Sequence, residues 1–131
     1  MTGCGGGNDR LTPDEYASKA DAICAKYQER IQGVSASTPE ALAKAADRTL
    51  EAFDDATREL RELKPPESEA QLVEQWFAKL DVLKRDVEKI RDRARAGDVQ
   101  GVRELAPLGL EHNREANKLA ERLGMSVCSS G

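Results

Sequence analysis

Four residues of this 131-residue chain have side chains suited to covalent or metal chemistry: cysteines at positions 4, 24 and 128, and the single histidine, His112. In an exported protein, an odd number of cysteines leaves one for a task other than an internal disulfide. The tripeptide Thr2-Gly3-Cys4 matches the end of a bacterial lipobox, where a signal peptide is cut and lipid is attached to the cysteine. We therefore expect lipid on Cys4, removal of an upstream signal peptide, and a flexible glycine-rich tether over residues 1–10.

His112 lies three residues before Glu115, a spacing at which both could face one metal ion from a helix. A di-metal site in a helical bundle needs carboxylates from facing helices and usually a second Glu-x-x-His pair, but this sequence has no Glu-x-x-His and no second histidine. We expect no cofactor and no metal, with His112 solvated or placed between helices. Phosphate-binding, nucleophile-elbow and dinucleotide motifs are also absent from the sequence, which predicts a protein that is not an enzyme.

The composition favours helix and disfavours a nucleic-acid partner. The chain has 20 Lys and Arg against 24 Asp and Glu, interleaved along its length, for a net charge of −4. A nucleic-acid-binding domain usually has a basic face, so we do not expect this chain to bind nucleic acid. Aromatic residues are only 4% of the chain, whereas residues that favour helices are abundant. No apolar run is long enough to span a membrane.

Helix start and stop signals divide the chain into four segments. Thr12-Pro13, with Glu15 three residues after the threonine, predicts a capped start for helix 1, which ends near Gly33. Thr38-Pro39 starts helix 2, and Pro65-Pro66 stops it. Both segments have apolar residues at helical spacing, which predicts that each buries one face.

Helix 3 is predicted from near Glu67 to Gly97, and helix 4 follows from Asp98 to Gly124. Pro107 and Gly109 lie inside helix 4, so we expect a kink, or a split into 99–106 and 108–123. Short loops between amphipathic helices favour antiparallel neighbours. The sequence therefore predicts an all-α, up-down-up-down four-helix bundle over residues 11–128, with a tail over 129–131.

That bundle sets the geometry for the two remaining cysteines. Helices 1 and 4 are expected to be neighbours, and a tail that turns back through Met125 and Val127 can bring Cys128 to Cys24 on helix 1. Closing a loop of about 100 residues stabilises a fold by up to about 4.7 kcal/mol in the chain-entropy model. We expect a Cys24–Cys128 disulfide; the alternative is two free thiols that pack as small apolar groups.

Four stretches carry a resemblance that covers nearly the whole chain: Thr2-Gly3-Cys4 with its glycine spacer, Ala20-Asp21-Ala22-Ile23-Cys24, Leu60-Arg61-Glu62-Leu63-Lys64-Pro65-Pro66, and Leu123-Gly124-Met125-Ser126-Val127-Cys128. The chain resembles small helical lipoproteins and secreted proteins of high-GC Gram-positive-type bacteria. The resemblance implies an anchored helical bundle with one disulfide, and it brings no activity or site residue with it.

These observations predict a lipid-anchored, monomeric or weakly associating module at the outer face of the cell membrane, which binds an envelope protein. Phe77 lies about 100° from the core residue Trp76 on helix 3, so Phe77 and Val73 either widen the buried face or form a partly exposed patch. We place the binding surface near Val73, Phe77, Pro107 and His112.

Asn113 and Asn117 fall near the seam of helix 4, where they fix helix register or line a small cavity. The second function is accordingly a small-molecule or metal carrier, with a pocket opened by the Pro107–Gly109 irregularity. An apolar cavity lined by Asn113 or Asn117 favours this carrier, and a filled core excludes it. An enzyme would instead need convergent polar groups in one cleft, and a purely structural spacer would have neither a pocket nor an apolar patch.

Overall fold

The computed structural model describes residues 10–33 and 36–131. Helix α1 spans Pro13–Ile31, α2 spans Pro39–Glu62, α3 spans Ala70–Arg95 and α4 spans Val99–Arg122. Short 3₁₀ turns lie at Glu67–Glu69 and Cys128–Ser130. The described residues contain helices and no strands, so the prediction of an all-α four-helix bundle is confirmed.

Local capping chemistry sets the helix ends. The Thr12 side chain accepts the Glu15 N–H, and the Glu15 carboxylate accepts the Thr12 N–H, which completes a capping box at the start of α1. Thr38 and Asp98 cap α2 and α4, each by accepting one backbone N–H. Gly124 follows α4 with φ +79°, a backbone conformation that glycine adopts without a steric penalty. The start of α3 is three residues later than predicted, because Glu67–Glu69 form the 3₁₀ turn.

Helix α4 is one continuous helix, so of the two predicted forms, a kink or a split into 99–106 and 108–123, the split is wrong. Pro107 lies inside it, exposed to solvent, so its ring faces away from the neighbouring helices. Proline removes a single backbone donor at this point. The helix continues because the hydrogen bonds of the flanking turns remain and α4 packs along α3.

Ion pairs join consecutive helices in antiparallel register. Lys26 of α1 pairs with Glu59 of α2 at 2.7 Å, and Asp54 of α2 pairs with Lys84 of α3 at 2.8 Å. Lys79 of α3 pairs with Glu115 of α4 at 3.1 Å. These contacts are partly exposed, and each adds little free energy, but together they show which residues of neighbouring helices are at the same level.

The tightly packed core occupies the end of the bundle where α1 begins. Its members are buried apolar residues from every helix and from the segment after α4: Tyr16, Ala17, Ala20, Leu60, Val73, Trp76, Phe77, Ala120, Leu123 and Met125. The other half of the bundle interior contains a cavity.

Candidate ligand cavity

A cavity of about 290 Å³ lies between the four helices, next to the core. Leu60 and Trp76, which are 3% and 2% exposed, form its floor. Its walls are apolar side chains that remain partly exposed because they face this open space: Ile31, Phe53, Leu80, Leu83 and Val87. Each of these residues would be core if the bundle interior were filled.

Small residues help to create the space. Ala52 and Ala56 of α2 and Ala116 of α4 all line the cavity. A methyl side chain cannot reach the centre of a four-helix bundle, so the larger side chains on α3 are left with nothing to contact across it. The cavity therefore results from the choice of alanine at three inward-facing positions.

Neutral polar groups interrupt the apolar lining. Asn113 and Asn117 both line the cavity, as do Gln28, Thr49 and Thr57. In the described part of the chain no Asp, Glu, Lys, Arg or His lines this cavity. The side chains of the cavity can therefore pack against the apolar part of a molecule and hydrogen-bond to an uncharged polar group on it.

Some of these polar groups are already paired within the protein. The Thr49 hydroxyl donates to the Ala45 carbonyl at 2.9 Å, and the Asn113 amide donates to the Gly131 carbonyl at 2.9 Å. The Gln28 amide donates to the Val127 carbonyl at 3.1 Å.

Two other polar groups remain available to a ligand. The Thr57 hydroxyl and the Asn117 amide make no side-chain hydrogen bond to any described residue.

Tyr27 closes one side of the cavity with its ring and directs its hydroxyl outward. That hydroxyl donates to the Glu59 carboxylate, which also accepts from Lys26 at 2.7 Å. The hydrogen bond to Glu59 raises the pKa of Tyr27, and the Lys26 ammonium lowers the pKa of Glu59. This charged group lies on the α1–α2 surface, so the phenol is not free to contact a molecule in the cavity.

The segment after α4 closes the gap between α1 and α4. Cys24 and Cys128 are at disulfide distance, with Sγ atoms 2.06 Å apart and Cα atoms 5.3 Å apart, as predicted. Residues 129–131, predicted as a tail, lie against the bundle: Ser129 donates to the Met125 carbonyl at 2.7 Å, and Gly131 lines the cavity.

Asp21 is the residue of this closure that sequence reasoning missed. Its carboxylate accepts the backbone N–H groups of Ser126, Val127 and Cys128 at 2.9–3.0 Å. A signal was present in the sequence, since Asp21 lies three residues before Cys24 and therefore one helical turn away on the same face.

The predicted partner surface on α3 is wrong. Val73 and Phe77 are 2% and 4% exposed, and the Arg61 guanidinium covers the Phe77 ring at 4.3 Å from its centroid. Helix α3 packs against both α2 and α4, so its buried face is wide enough to include Phe77 as well as Trp76. The observed arrangement is therefore the one in which both Val73 and Phe77 widen the buried face.

The predicted site residues on α4 separate into two groups. Asn113 and Asn117 line the cavity, an arrangement that favours the carrier hypothesis. Pro107 is exposed, and the Nδ1 atom of His112 is hydrogen-bonded to the Asp86 carboxylate of α3 at 2.6 Å. Neither residue lines the cavity. The Pro107–Gly109 irregularity therefore does not form the pocket, which begins one turn further along α4.

The residues considered for a metal site lie in the described part of the chain, whereas Cys4, the predicted lipid attachment site, does not. Glu115 pairs with Lys79, so Glu115 and His112 contact different partners. Among the described residues no cluster of three metal-ligating side chains occurs. Cys4 and the rest of the predicted tether, apart from Arg10, lie outside the described residues.

Comparison of the chain with protein-family models, curated proteins and solved structures gives no match. No helix in the described part of the chain has both the length and the apolar character needed to cross a membrane.

Proposed function

We propose that this chain is a non-enzymatic binding module of the cell envelope, and that it binds a small apolar molecule in the interhelical cavity. The observation that carries the proposal is the cavity itself: about 290 Å³, walled by apolar side chains from all four helices and interrupted by neutral polar groups. This volume is about twice the roughly 150 Å³ of an apolar protein cavity that holds benzene. Small-molecule sites typically combine such apolar walls with a few polar groups.

The envelope location is a separate part of the proposal, and its support is the cysteines. Disulfides persist in oxidising compartments, where exported proteins are found. The pairing of Cys24 with Cys128 leaves Cys4, in its lipobox-like setting, for lipid attachment. We propose that the lipid holds the bundle at the outer face of the membrane, as the resemblance to small helical lipoproteins implies.

Ligand binding can be tested with N-phenyl-1-naphthylamine, an uncharged aromatic probe that becomes fluorescent in apolar surroundings and accepts excitation energy from tryptophan. Trp76 is the single tryptophan of the chain and forms the cavity floor. We expect the probe to bind saturably, with energy transfer from Trp76, because a molecule in the cavity lies next to this ring.

A matched pair of variants identifies the site. Ala56→Leu places an isobutyl group in the cavity, whereas Ala78→Leu places the same group on the exposed face of α3. We expect Ala56→Leu to weaken probe binding at least tenfold and Ala78→Leu to leave it unchanged. Equal affinity in both variants, with both folded, would place the probe elsewhere and contradict the proposal.

The export part is tested by mass spectrometry of peptides from the air-oxidised protein after thiol alkylation without reduction. We expect a linked Cys24–Cys128 peptide and an alkylated Cys4. Three alkylated cysteines in the folded protein would remove the argument for an oxidising compartment.

A further inference from the structure

We infer that the natural ligand is an uncharged, single-chain amphiphile, whose hydrocarbon chain lies along the bundle axis and whose polar end is hydrogen-bonded by Thr57 and Asn117. This inference rests on the proposed function, because it specifies what the same cavity binds. Three properties of the cavity support it: its length, its lack of charged side chains and the position of its unpaired polar groups.

The cavity is long and narrow. On α2 it is lined from Thr49 to Leu60, and on α3 from Trp76 to Val87. Eleven residues of helix rise by about 16 Å, so a volume of about 290 Å³ is spread along most of that length. An extended hydrocarbon chain fits this shape better than a compact ring system of the same volume.

The side chains of the lining offer no partner to an anionic head group. No Lys, Arg or His among the described residues lines the cavity, so a carboxylate inside it would lose its hydration without gaining a counter-charge. A hydroxyl, amide or ester is compatible with the neutral side chains that are present. The ligand class is therefore an alcohol, amide or ester with a hydrocarbon chain, and not a fatty acid anion.

The unpaired polar groups both lie in the half of the cavity next to the floor. The register set by Asp54–Lys84 and Lys79–Glu115 places Thr57 near residue 81 of α3 and Asn117 near residue 77. These levels differ by about one helical turn, roughly 6 Å along the axis.

The other polar lining groups already have partners in the protein, whereas the Thr57 hydroxyl and the Asn117 amide do not have one among the described residues. The opposite stretch of the cavity has Ile31, Phe53, Leu83 and Val87 as its walls. A ligand therefore makes the most favourable contacts when its polar end is near Thr57 and its hydrocarbon chain extends toward Val87.

The test compares decan-1-ol, decane and decanoate as competitors of N-phenyl-1-naphthylamine in the full chain at pH 8, where decanoate is ionised. The key variant is Thr57→Val, which removes a free hydroxyl and keeps the shape of the side chain. Thr49→Val is the matched control, because its hydroxyl lines the same cavity but is already bonded to Ala45. Comparing each competitor across variants cancels its own solubility in water.

We expect Thr57→Val to weaken decan-1-ol about fivefold, the effect of one neutral hydrogen bond, and to leave decane unchanged. Asn117→Leu should act in the same direction. Thr49→Val should affect neither competitor's affinity, and decanoate should bind at least tenfold more weakly than decan-1-ol.

Three results would overturn the inference: decanoate binding as tightly as decan-1-ol, equal losses for decan-1-ol and decane in Thr57→Val, or equal losses for decan-1-ol in the Thr57 and Thr49 variants. Each of these leaves the cavity as a binding site, because N-phenyl-1-naphthylamine still binds there and Ala56→Leu still blocks it. Failure of the proposed function is a different result, since no probe would then bind in the cavity.

Discussion

Asp21 binds the backbone of Cys128: its Oδ1 atom accepts the Cys128 N–H at 3.0 Å. Cys128 is at disulfide distance from Cys24, which lies one helical turn after Asp21 on α1. The same oxygen accepts the Val127 N–H at 2.9 Å. The segment after α4 is therefore attached to α1 in two ways, by a carboxylate that binds its backbone and by a sulfur–sulfur contact. Ion pairs join the other adjacent helices, whereas the closing segment joins α1 to α4.

The first prediction concerns this carboxylate. Asp21→Ala removes the acceptor for three backbone donors at the start of the closing 3₁₀ turn. Because hydrogen bonds to charged groups contribute about 1.5–3 kcal/mol, and this site is partly exposed, we expect the free energy of unfolding to fall by about 2 kcal/mol. Urea unfolding of the oxidised protein measures the change.

The control for Asp21→Ala is Glu29→Ala, on an exposed position of the same helix. Its effect should stay within about 0.5 kcal/mol, as is usual for surface substitutions. If both variants lose the same stability, the carboxylate of Asp21 does not hold the closing segment.

Sequence patterns were sufficient for the helices because their signals are local. The Thr12 capping box, the Pro65-Pro66 stop and Gly124 after α4 act through neighbouring backbone groups, and the observed helices begin and end within about three residues of their predicted positions. Pro107 is the exception, because the packing of α4 against α3 decides whether a helix continues past one missing donor.

The cavity could be anticipated only in part. Helical periodicity predicts that Phe53, Leu83 and Val87 face inward, but it does not show whether their neighbours across the bundle fill the interior. That outcome depends on how far the inward-facing side chains of the other helices reach, and here Ala52, Ala56 and Ala116 are among the lining residues. Asn113 and Asn117 were the available signal, because polar residues on an inward face need a polar partner or solvent.

Phe77 was misplaced for a related reason. The patch interpretation assumed one narrow seam on α3, whereas α3 is covered by both α2 and α4. Sequence spacing gives the angle between two side chains on a helix, but the number of neighbouring helices decides how much of that helix is buried.

The second prediction compares the same substitution in the core and at the cavity. Leu123 is 2% exposed in the tight core, so Leu123→Ala should cost about 2–5 kcal/mol of unfolding free energy. Leu83 is partly exposed and faces the cavity, so Leu83→Ala removes fewer contacts and should cost about 1 kcal/mol. Equal losses, measured by chemical denaturation, would indicate that the interior near Leu83 is filled.

The third prediction concerns a buried hydroxyl without a partner. Tyr16 is fully buried, and its hydroxyl has no hydrogen-bond partner among the described residues. Tyr16→Phe therefore removes a desolvated polar group and no hydrogen bond, so at pH 8 the variant should be as stable as the parent or slightly more stable. Tyr27→Phe, which loses the bond to Glu59, should be less stable and serves as the comparison.

Tyr16 also makes stability depend on alkaline pH. Burial raises its pKa to about 12, with Glu69 and Glu74 adding to the effect, whereas an unfolded tyrosine titrates near 10. The folded state holds the proton more tightly, so this contribution to stability is complete below about pH 10 and is lost as the pH rises to about 12. Between pH 8 and pH 11 the parent should lose about 1.4 kcal/mol more than Tyr16→Phe. Identical pH profiles of the two proteins would contradict the raised pKa.

The fourth prediction is that Pro107→Ala stabilises the protein. Pro107 is exposed within the continuous helix α4, where proline removes a backbone donor and crowds the preceding turn. Alanine restores the donor, so we expect the free energy of unfolding to rise by about 1–3 kcal/mol, measured by thermal or urea unfolding. Pro13→Ala is the control, because Pro13 is the first residue of α1, where the backbone donor has no helical partner.

A neutral or destabilising effect of Pro107→Ala would mean that the packing of α4 on α3 requires the backbone shape that proline imposes. The Asp86–His112 hydrogen bond can test whether Pro107 sets the packing of α4 on α3, because it joins these two helices just over one turn beyond Pro107. If proline only removes a donor, His112→Asn should lower the stability of the parent and of Pro107→Ala by the same amount. Unequal losses would show that Pro107 sets the geometry of the α3–α4 contact.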